Sequence, residues 1–163
     1  MIHLIFVSFE IKNIEPMPHR IIIVFVAFLA CVSCRKPIKP EDISKLNGYW
    51  EIENVVLSDG SQKEYKVNET IDYFEIKKNK GFRKKVKPQF DGRYLENGDS
   101  EAISVSFKNN KAFLNYKTPY SEWRDEILEV SDNNLVLKND QNVEYHYKKA
   151  IPFNITDHGK TTQ

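Results

Sequence analysis

The chain has 163 residues, of which 40% are hydrophobic and 29% are charged, and its 24 basic and 23 acidic side chains leave a net charge of +1. Seven prolines and six glycines are too few for a collagen-like or low-complexity chain, and ten Phe with eight Tyr are too many for a disordered one. A balanced charge is also unlike that of a dedicated nucleic-acid binder, which usually has a large basic excess. We therefore expect one folded domain that binds no nucleic acid.

The first element along the chain is an apolar segment behind a short basic start. Residues 17–20 read Met-Pro-His-Arg, and the run Ile21–Val32 is apolar before Ser33 and Cys34. A basic start, an apolar run and small residues are the three parts of a secretory signal. The run has roughly 12 residues, whereas a helix that crosses the membrane needs about 20. A cleaved signal is therefore favoured over a retained transmembrane helix.

Cys34 stands where the apolar sequence gives way to Arg35 and Lys36. This boundary resembles the lipobox of bacterial lipoproteins, in which the Cys is lipidated and becomes the new N-terminus. Cys31 is the alternative lipidation site. A redox or metal-binding Cys pair would need a folded surrounding and further ligands, which an apolar leader does not supply.

The resemblance predicts a protein of the bacterial cell envelope that is anchored to the membrane by its N-terminal lipid. Because Arg35 and Lys36 follow the Cys and no acid-rich surface-export signal is present, we expect it in the outer membrane, facing the periplasm. Residues 1–34 are then an upstream extension plus the lipoprotein signal peptide. Because residues 1–16 contain Glu10, Lys12 and Glu15, which are foreign to the start of a signal, we expect translation to begin at Met17.

After the leader, residues 35–47 contain Pro37 and Pro40 and predict an extended tether with a short helical turn at Glu41–Leu46. From Tyr49 onward apolar residues recur with a period of two, which is typical of strands. Turns rich in Asn, Asp and Gly separate the predicted strands, which are Tyr49–Leu57, Lys63–Val67, Asp72–Lys78, Phe82–Lys87, Arg93–Leu95, Ala102–Lys108, Ala112–Lys117, Glu122–Val130, Leu135–Lys138 and Val143–Lys148.

Short strands at this spacing predict an all-β antiparallel sandwich or barrel over 48–150, followed by a tail at 151–163. Closure into a barrel is attractive because it removes exposed sheet edges. Gly81 is predicted to break the strand that precedes it.

The first predicted strand begins Gly48-Tyr49-Trp50, directly after the helical turn. Gly-x-Trp at this position is similar to the opening motif of lipocalins. With the lipidation signal, the chain resembles the small lipocalin-like lipoproteins of Bacteroidetes-type bacteria, which implies an up-and-down barrel. The resemblance gives Gly48 and Trp50 structural roles, with Trp50 plugging one end of the barrel. A second lipocalin motif of the Thr-Asp-Tyr type is missing, and Lys148 and Lys149 stand where lipocalins have an Arg, although a lysine stem can still cover the indole.

The chain offers little material for catalysis. Beyond the signal the only histidines are His146 and His158, and no Gly-x-Ser-x-Gly elbow, phosphate loop or His-x-x-x-His spacing occurs. Asp125 and Glu126 are neighbours on one strand, so they face opposite sides and cannot act together on one bond. We therefore expect a monomeric protein that is no enzyme and uses no cofactor or metal.

Two sets of residues are candidates for binding. An aromatic set would line an apolar pocket for a small hydrophobic ligand, or would simply fill a small barrel; its members are Phe74, Phe107, Trp123, Tyr145 and Tyr147. A basic set would hold an anionic surface, or would be a solvated hairpin; its members are Lys77, Lys78, Arg83, Lys84 and Lys85. The leading hypothesis is a ligand-binding module, and the alternative is a cavity-less interaction or inhibitor domain.

Overall fold

The computed structural model describes residues 36–96 and 98–150. The predicted leader with Met17, Cys31 and Cys34, and the predicted tail at 151–163, lie outside the described residues. Among those that are described, no helix is long and apolar enough to span a membrane.

A short 3₁₀ helix at Pro40–Leu46 precedes ten strands. The strands are β1 (Gly48–Val56), β2 (Gln62–Glu64), β3 (Ile71–Lys77), β4 (Lys80–Pro88), β5 (Tyr94–Glu96), β6 (Glu101–Lys108), β7 (Lys111–Lys117), β8 (Glu122–Val130), β9 (Asn134–Asn139) and β10 (Glu144–Lys149). Each corresponds to a predicted strand, and the ends differ by three residues at most.

Eight of these strands form a closed antiparallel barrel. Hydrogen-bonded neighbours run β10-β9-β8-β7-β6-β4-β3-β1, and β1 also pairs with β10, so that the sheet closes on itself. The two remaining strands are short additions, β2 on β1 and β5 on β4. The predicted all-β, lipocalin-like barrel is confirmed.

Alternate residues of each strand point into the barrel, and their character changes along its axis. One half is filled with apolar side chains that have no exposed surface, namely Leu46, Trp50, Phe74, Leu114 and Leu135. In the other half the interior carries charged and aromatic side chains. The 3₁₀ helix contributes Ile43 and Leu46 to the apolar half, which is thereby the closed end of the barrel.

The hairpin between β3 and β4 differs from the prediction. Gly81 does not break a strand but lies within β4, and the turn is formed by Lys78 and Asn79, with φ of 52° and 63°. Two consecutive residues with positive φ match the twist of a tight hairpin. A Cβ atom on Gly81 would lie 1.8 Å from the carbonyl oxygen of Glu75. Glycine is therefore required for the close approach of the two strands, not for a turn.

Candidate functional site

The closed end of the barrel is held by Trp50. Its indole Nε1–H donates to the carbonyl of Leu46 at 2.7 Å, and the side chain has no exposed surface. The Lys149 ammonium lies 4.1 Å from the centre of the indole ring and donates to the carbonyls of Asn47 at 2.6 Å and Lys45 at 3.3 Å. A lysine from the last strand thus covers the indole, and its ammonium satisfies carbonyls at the end of the 3₁₀ helix.

The closed end of the barrel is also fixed by contacts of Gly48 and Asn47 with β10 and β3. Gly48 has a φ of 112°, and a side chain there would crowd the Lys149 ammonium at 3.2 Å. The Asn47 side chain accepts from the N–H of Ile76 at 2.6 Å and donates to the Ile76 carbonyl at 3.2 Å. These bonds are internal to the fold and join the Gly-x-Trp region to β3 and β10.

A partly buried ion-pair network joins β3, β4 and β6. Arg83 and Lys85 are two residues apart on β4 and therefore share its inward face. Arg83 Nε bonds to the Glu101 carboxylate and lies 4.0 Å from Asp72 Oδ1, while Lys85 Nζ lies 2.7 Å from the same Asp72 oxygen. Only 1% of Asp72 is exposed. Both cations thus lie within ion-pair distance of carboxylates, although Asp72 Oδ1 has no partner in hydrogen-bond geometry among the described residues and the Lys85 side chain is 46% exposed.

Two stacked aromatic rings contact this network through Arg83. The Arg83 guanidinium lies 4.6 Å from the centre of the Tyr116 ring, and the Trp123 indole stacks on Tyr116 at 5.1 Å with an angle of 11° between the rings. Burial raises the pKa of Tyr116 well above its ordinary value, and that of Tyr147 likewise. Both phenols are therefore neutral at physiological pH.

Asp125 is the second buried aspartate, with 6% of its surface exposed. Burial raises the pKa of its carboxyl group, an effect that the positive charge of Arg83 partly opposes. The Tyr116 hydroxyl lies beside it, yet among residues 36–96 and 98–150 that hydroxyl has no partner in hydrogen-bond geometry. Unlike Asp72, Asp125 has no cation of the described residues within ion-pair distance.

These groups surround a cavity of about 240 Å³ in the polar half of the barrel. Its lining is formed by Ile52, Arg83, Lys85, Trp123, Asp125, Asn139, Tyr145 and Tyr147. The Asn139 side-chain oxygen accepts from the N–H groups of Gln141 and Val143 at 2.9 Å and 3.0 Å, which fixes the orientation of its amide. The cavity thus combines aromatic walls with charged and amide groups.

Three of the five aromatic candidates meet at this cavity, namely Trp123, Tyr145 and Tyr147. The other two lie elsewhere. Phe74 is fully buried in the apolar half, and Phe107, at the end of β6, is 40% exposed and packs beside the tether at Pro37–Pro40.

The basic candidates do not form one surface patch. Arg83 and Lys85 point inward, whereas Lys84 points outward and pairs with Glu96 at 2.6 Å. Lys77 and Lys78 are exposed at the hairpin. Because successive side chains of a strand point to opposite faces, the basic residues of this segment are divided between the inside and the outside of the barrel. Residues that are close along the chain are therefore not close together on one surface.

Sequence reasoning missed the inward charges Asp72, Arg83, Lys85 and Asp125 as members of the cavity region. The signal was present in the alternation, since Asp125 is in phase with Trp123 and Ile127 on β8. Glu126 points outward and pairs with Lys111 at 2.9 Å. Asp125 and Glu126 therefore face opposite sides of the strand, as predicted. Within the described part of the chain, no group of three His, Cys, Asp or Glu side chains is arranged to hold a metal ion.

One family profile and two solved structures are similar to this chain. A family profile described as "Lipocalin-like domain" matches residues 46–137. A solved structure of a lipocalin-like protein from Bacteroides uniformis is similar, with 13% identity and a TM-score of 0.42, over 65% of this chain and 99% of the other. An uncharacterized protein from Bacteroides eggerthii aligns with 12% identity and a TM-score of 0.43, over 64% of this chain and 99% of its own. No curated protein matches the chain significantly.

Proposed function

The chain belongs to the lipocalin-like domain family, and on that premise we propose that it is an exported, lipid-anchored module that binds a small ligand in the polar half of its barrel without catalysing a reaction. The observation that carries the proposal is the cavity of about 240 Å³ beside a cluster of buried apolar side chains. A small barrel that served only as a scaffold would fill both halves with side chains.

The lining of the cavity refines the class of ligand. The sequence predicted a hydrophobic ligand, but Arg83, Lys85 and Asp125 line the cavity together with aromatic rings. Binding sites typically use a few polar groups to orient a ligand against apolar walls. The volume lies below the roughly 300–1,000 Å³ of sites for drug-sized molecules. A small amphipathic ligand with a polar group therefore fits better than a long acyl chain.

The proposed anchor is Cys34, with Cys31 as the alternative. Lys36, where the described chain begins, follows Cys34 by two residues, so a lipid there would hold the tether within about 7 Å of the membrane surface. The tether at Pro37–Pro40 lies against the β6–β7 turn. The β3–β4 turn is at the same end of the barrel, because the backbone carbonyl of Asn79 accepts a hydrogen bond from the N–H of Val105 on β6 at 2.8 Å.

Lysines surround this end of the barrel. Exposed members are Lys36, Lys39, Lys77, Lys78, Lys108 and Lys111. Basic side chains near an anionic membrane contribute about 1 kcal/mol each, and less where a carboxylate already pairs with them, as Glu126 does with Lys111 and Glu41 with Lys39. This arrangement supports an orientation in which the closed end faces the phospholipid headgroups and the cavity faces the periplasm.

Ligand capture is tested by native mass spectrometry of the full chain, extracted from bacterial membranes in detergent. We expect a stoichiometric small molecule, which Trp123→Ala weakens by removing a cavity wall. Tyr120→Ala is the matched control, because Tyr120 is an aromatic residue that is 96% exposed. An empty protein, or a ligand held equally by both variants, would contradict the proposal and favour the cavity-less interaction domain.

Anchoring is tested separately in the same host. Cys34→Ala should abolish the mass added by the lipid and release the protein from membranes, whereas Cys31→Ala should do neither. Reversal of these two outcomes would move the lipid to Cys31, and an unmodified mature protein would refute anchoring altogether.

A further inference from the structure

The charges inside the polar half of the barrel do not balance. Arg83, Lys85 and Asp125 line the cavity, and the carboxylates of Asp72 and Glu101, outside its lining, pair with the two cations. Arg83 bonds to Glu101, and Lys85 lies 2.7 Å from Asp72. When all five are ionised, the sum is one negative charge, and Asp125 is the group left without an ion-pair partner of its own.

The unpaired carboxylate is buried and lies at the cavity wall. Only 6% of Asp125 is exposed, and burial raises its pKa. Removing a carboxylate from water is costly unless a cation or several donors compensate it. The neighbouring Tyr116 hydroxyl offers at most one hydrogen bond, and Arg83, whose Nε bonds to Glu101, acts on Asp125 through its charge and not within ion-pair distance. A cation in the cavity would provide the missing compensation.

The remaining walls suit the body of such a cation. Trp123 and Tyr145 contribute aromatic rings and Ile52 contributes an aliphatic side chain. Aromatic faces attract cations by about 0.5–2 kcal/mol, depending on how far the site is desolvated. An anion would instead meet the uncompensated Asp125, and the ammonium of Lys85 is already in contact with Asp72.

We propose, building on the proposed ligand-binding function, that the cavity selects a small organic cation, an ammonium group on a compact apolar body, with Asp125 as its counter-ion and Trp123 and Tyr145 as its walls. The cavity of about 240 Å³ admits one such molecule. Asp125 is thus the residue that determines the sign of the ligand's charge.

The test compares three probes that share one phenylethyl group: phenethylammonium, 2-phenylethanol and 3-phenylpropanoate. Binding to the full chain in detergent is measured by isothermal titration calorimetry at pH 7.5. We expect the ammonium to bind at least tenfold more tightly than either of the others. Asp125→Asn should remove at least that tenfold preference, while Glu129→Gln, on the exposed face of the same strand, should change it less than twofold.

The possible failures separate the two proposals. If the alcohol or the carboxylate binds as tightly as the ammonium, or if Asp125→Asn leaves the preference intact, cation selection is refuted while ligand binding stands. If no probe binds and the native protein carries no small molecule, both proposals fail. Asp125→Leu serves as a second variant of similar volume, and near-ultraviolet circular dichroism of each variant distinguishes a lost site from a lost fold.

Discussion

Replacing Asp125 by Asn should stabilise the ligand-free protein at neutral pH, because it removes the negative charge of a buried carboxylate and keeps the polar side chain. Asn has the same shape and retains an oxygen that can accept from the Tyr116 hydroxyl, but it carries no charge to desolvate. A buried polar group without adequate partners typically costs about 1–3 kcal/mol and a charged one more, and the attraction of Arg83 offsets part of that cost. We therefore expect a gain of about 1 kcal/mol, or about 4 °C in Tm for a domain of this size.

The gain should depend on pH in one direction. The pKa of Asp125 is raised in the folded protein, so the folded state binds a proton more readily than the unfolded state, and stability increases as the pH falls through that value. The penalty is complete above the folded pKa and absent below the unfolded one, near 3.8. The groups that set the folded value are Arg83, Tyr116, Glu101 and Asp140.

Urea unfolding of the wild type and of Asp125→Asn, at several pH values between 4 and 8, measures this difference. Subtracting the two curves cancels the carboxylates that both proteins share. A loss of 1 kcal/mol or more at pH 7 in the variant would show that Asp125 holds the fold together, and the reasoning about an uncompensated charge would then be refuted. A difference that does not change with pH would also contradict it.

Three further changes test the packing. Gly81→Ala should cost about 3 kcal/mol or prevent folding, because its Cβ would lie 1.8 Å from the Glu75 carbonyl oxygen; a loss below 1 kcal/mol in urea unfolding would contradict that spacing. Trp50→Phe should cost about 2 kcal/mol, since it leaves the Leu46 carbonyl without its 2.7 Å donor and leaves space in the closed end; unchanged thermal unfolding would count against the plug. Lys149→Met should keep the stem over the indole but lose about 1 kcal/mol with its two hydrogen bonds, and an equal loss in Lys148→Met would show that the effect is not specific.

The fold was predictable because its main signal is local. A period of two in apolar residues places strands wherever one face is buried, and turns rich in Asn, Asp and Gly separate them. Register is not local. Arg83 contacts Glu101 because β4 pairs with β6, the strand that follows β5 in the chain. The separation of the two residues in the sequence does not predict that contact.

The candidate site was predictable only in its aromatic part. Trp123, Tyr145 and Tyr147 were selected as large apolar rings on strands, which is also what a filled core would show. Arg83 and Lys85 were interpreted as surface charges because a dense basic run is usually solvated. Arg83 is buried because Glu101 compensates its charge from a neighbouring strand, whereas Lys85 reaches Asp72 with a side chain that stays 46% exposed.

The two buried aspartates show why a bound cation accounts for this interior better than a purely structural role does. Asp72 and Asp125 lie in the same barrel, and both are almost completely buried. The fold supplies Asp72 with Lys85 at 2.7 Å and Arg83 at 4.0 Å, so a cationic partner from a neighbouring strand is within its reach. Asp125 has only the opposing charge of Arg83 at longer range, and it borders the cavity. A carboxylate kept for stability would be expected to have a partner like that of Asp72, and the space beside Asp125 is where a ligand's positive charge would take that place.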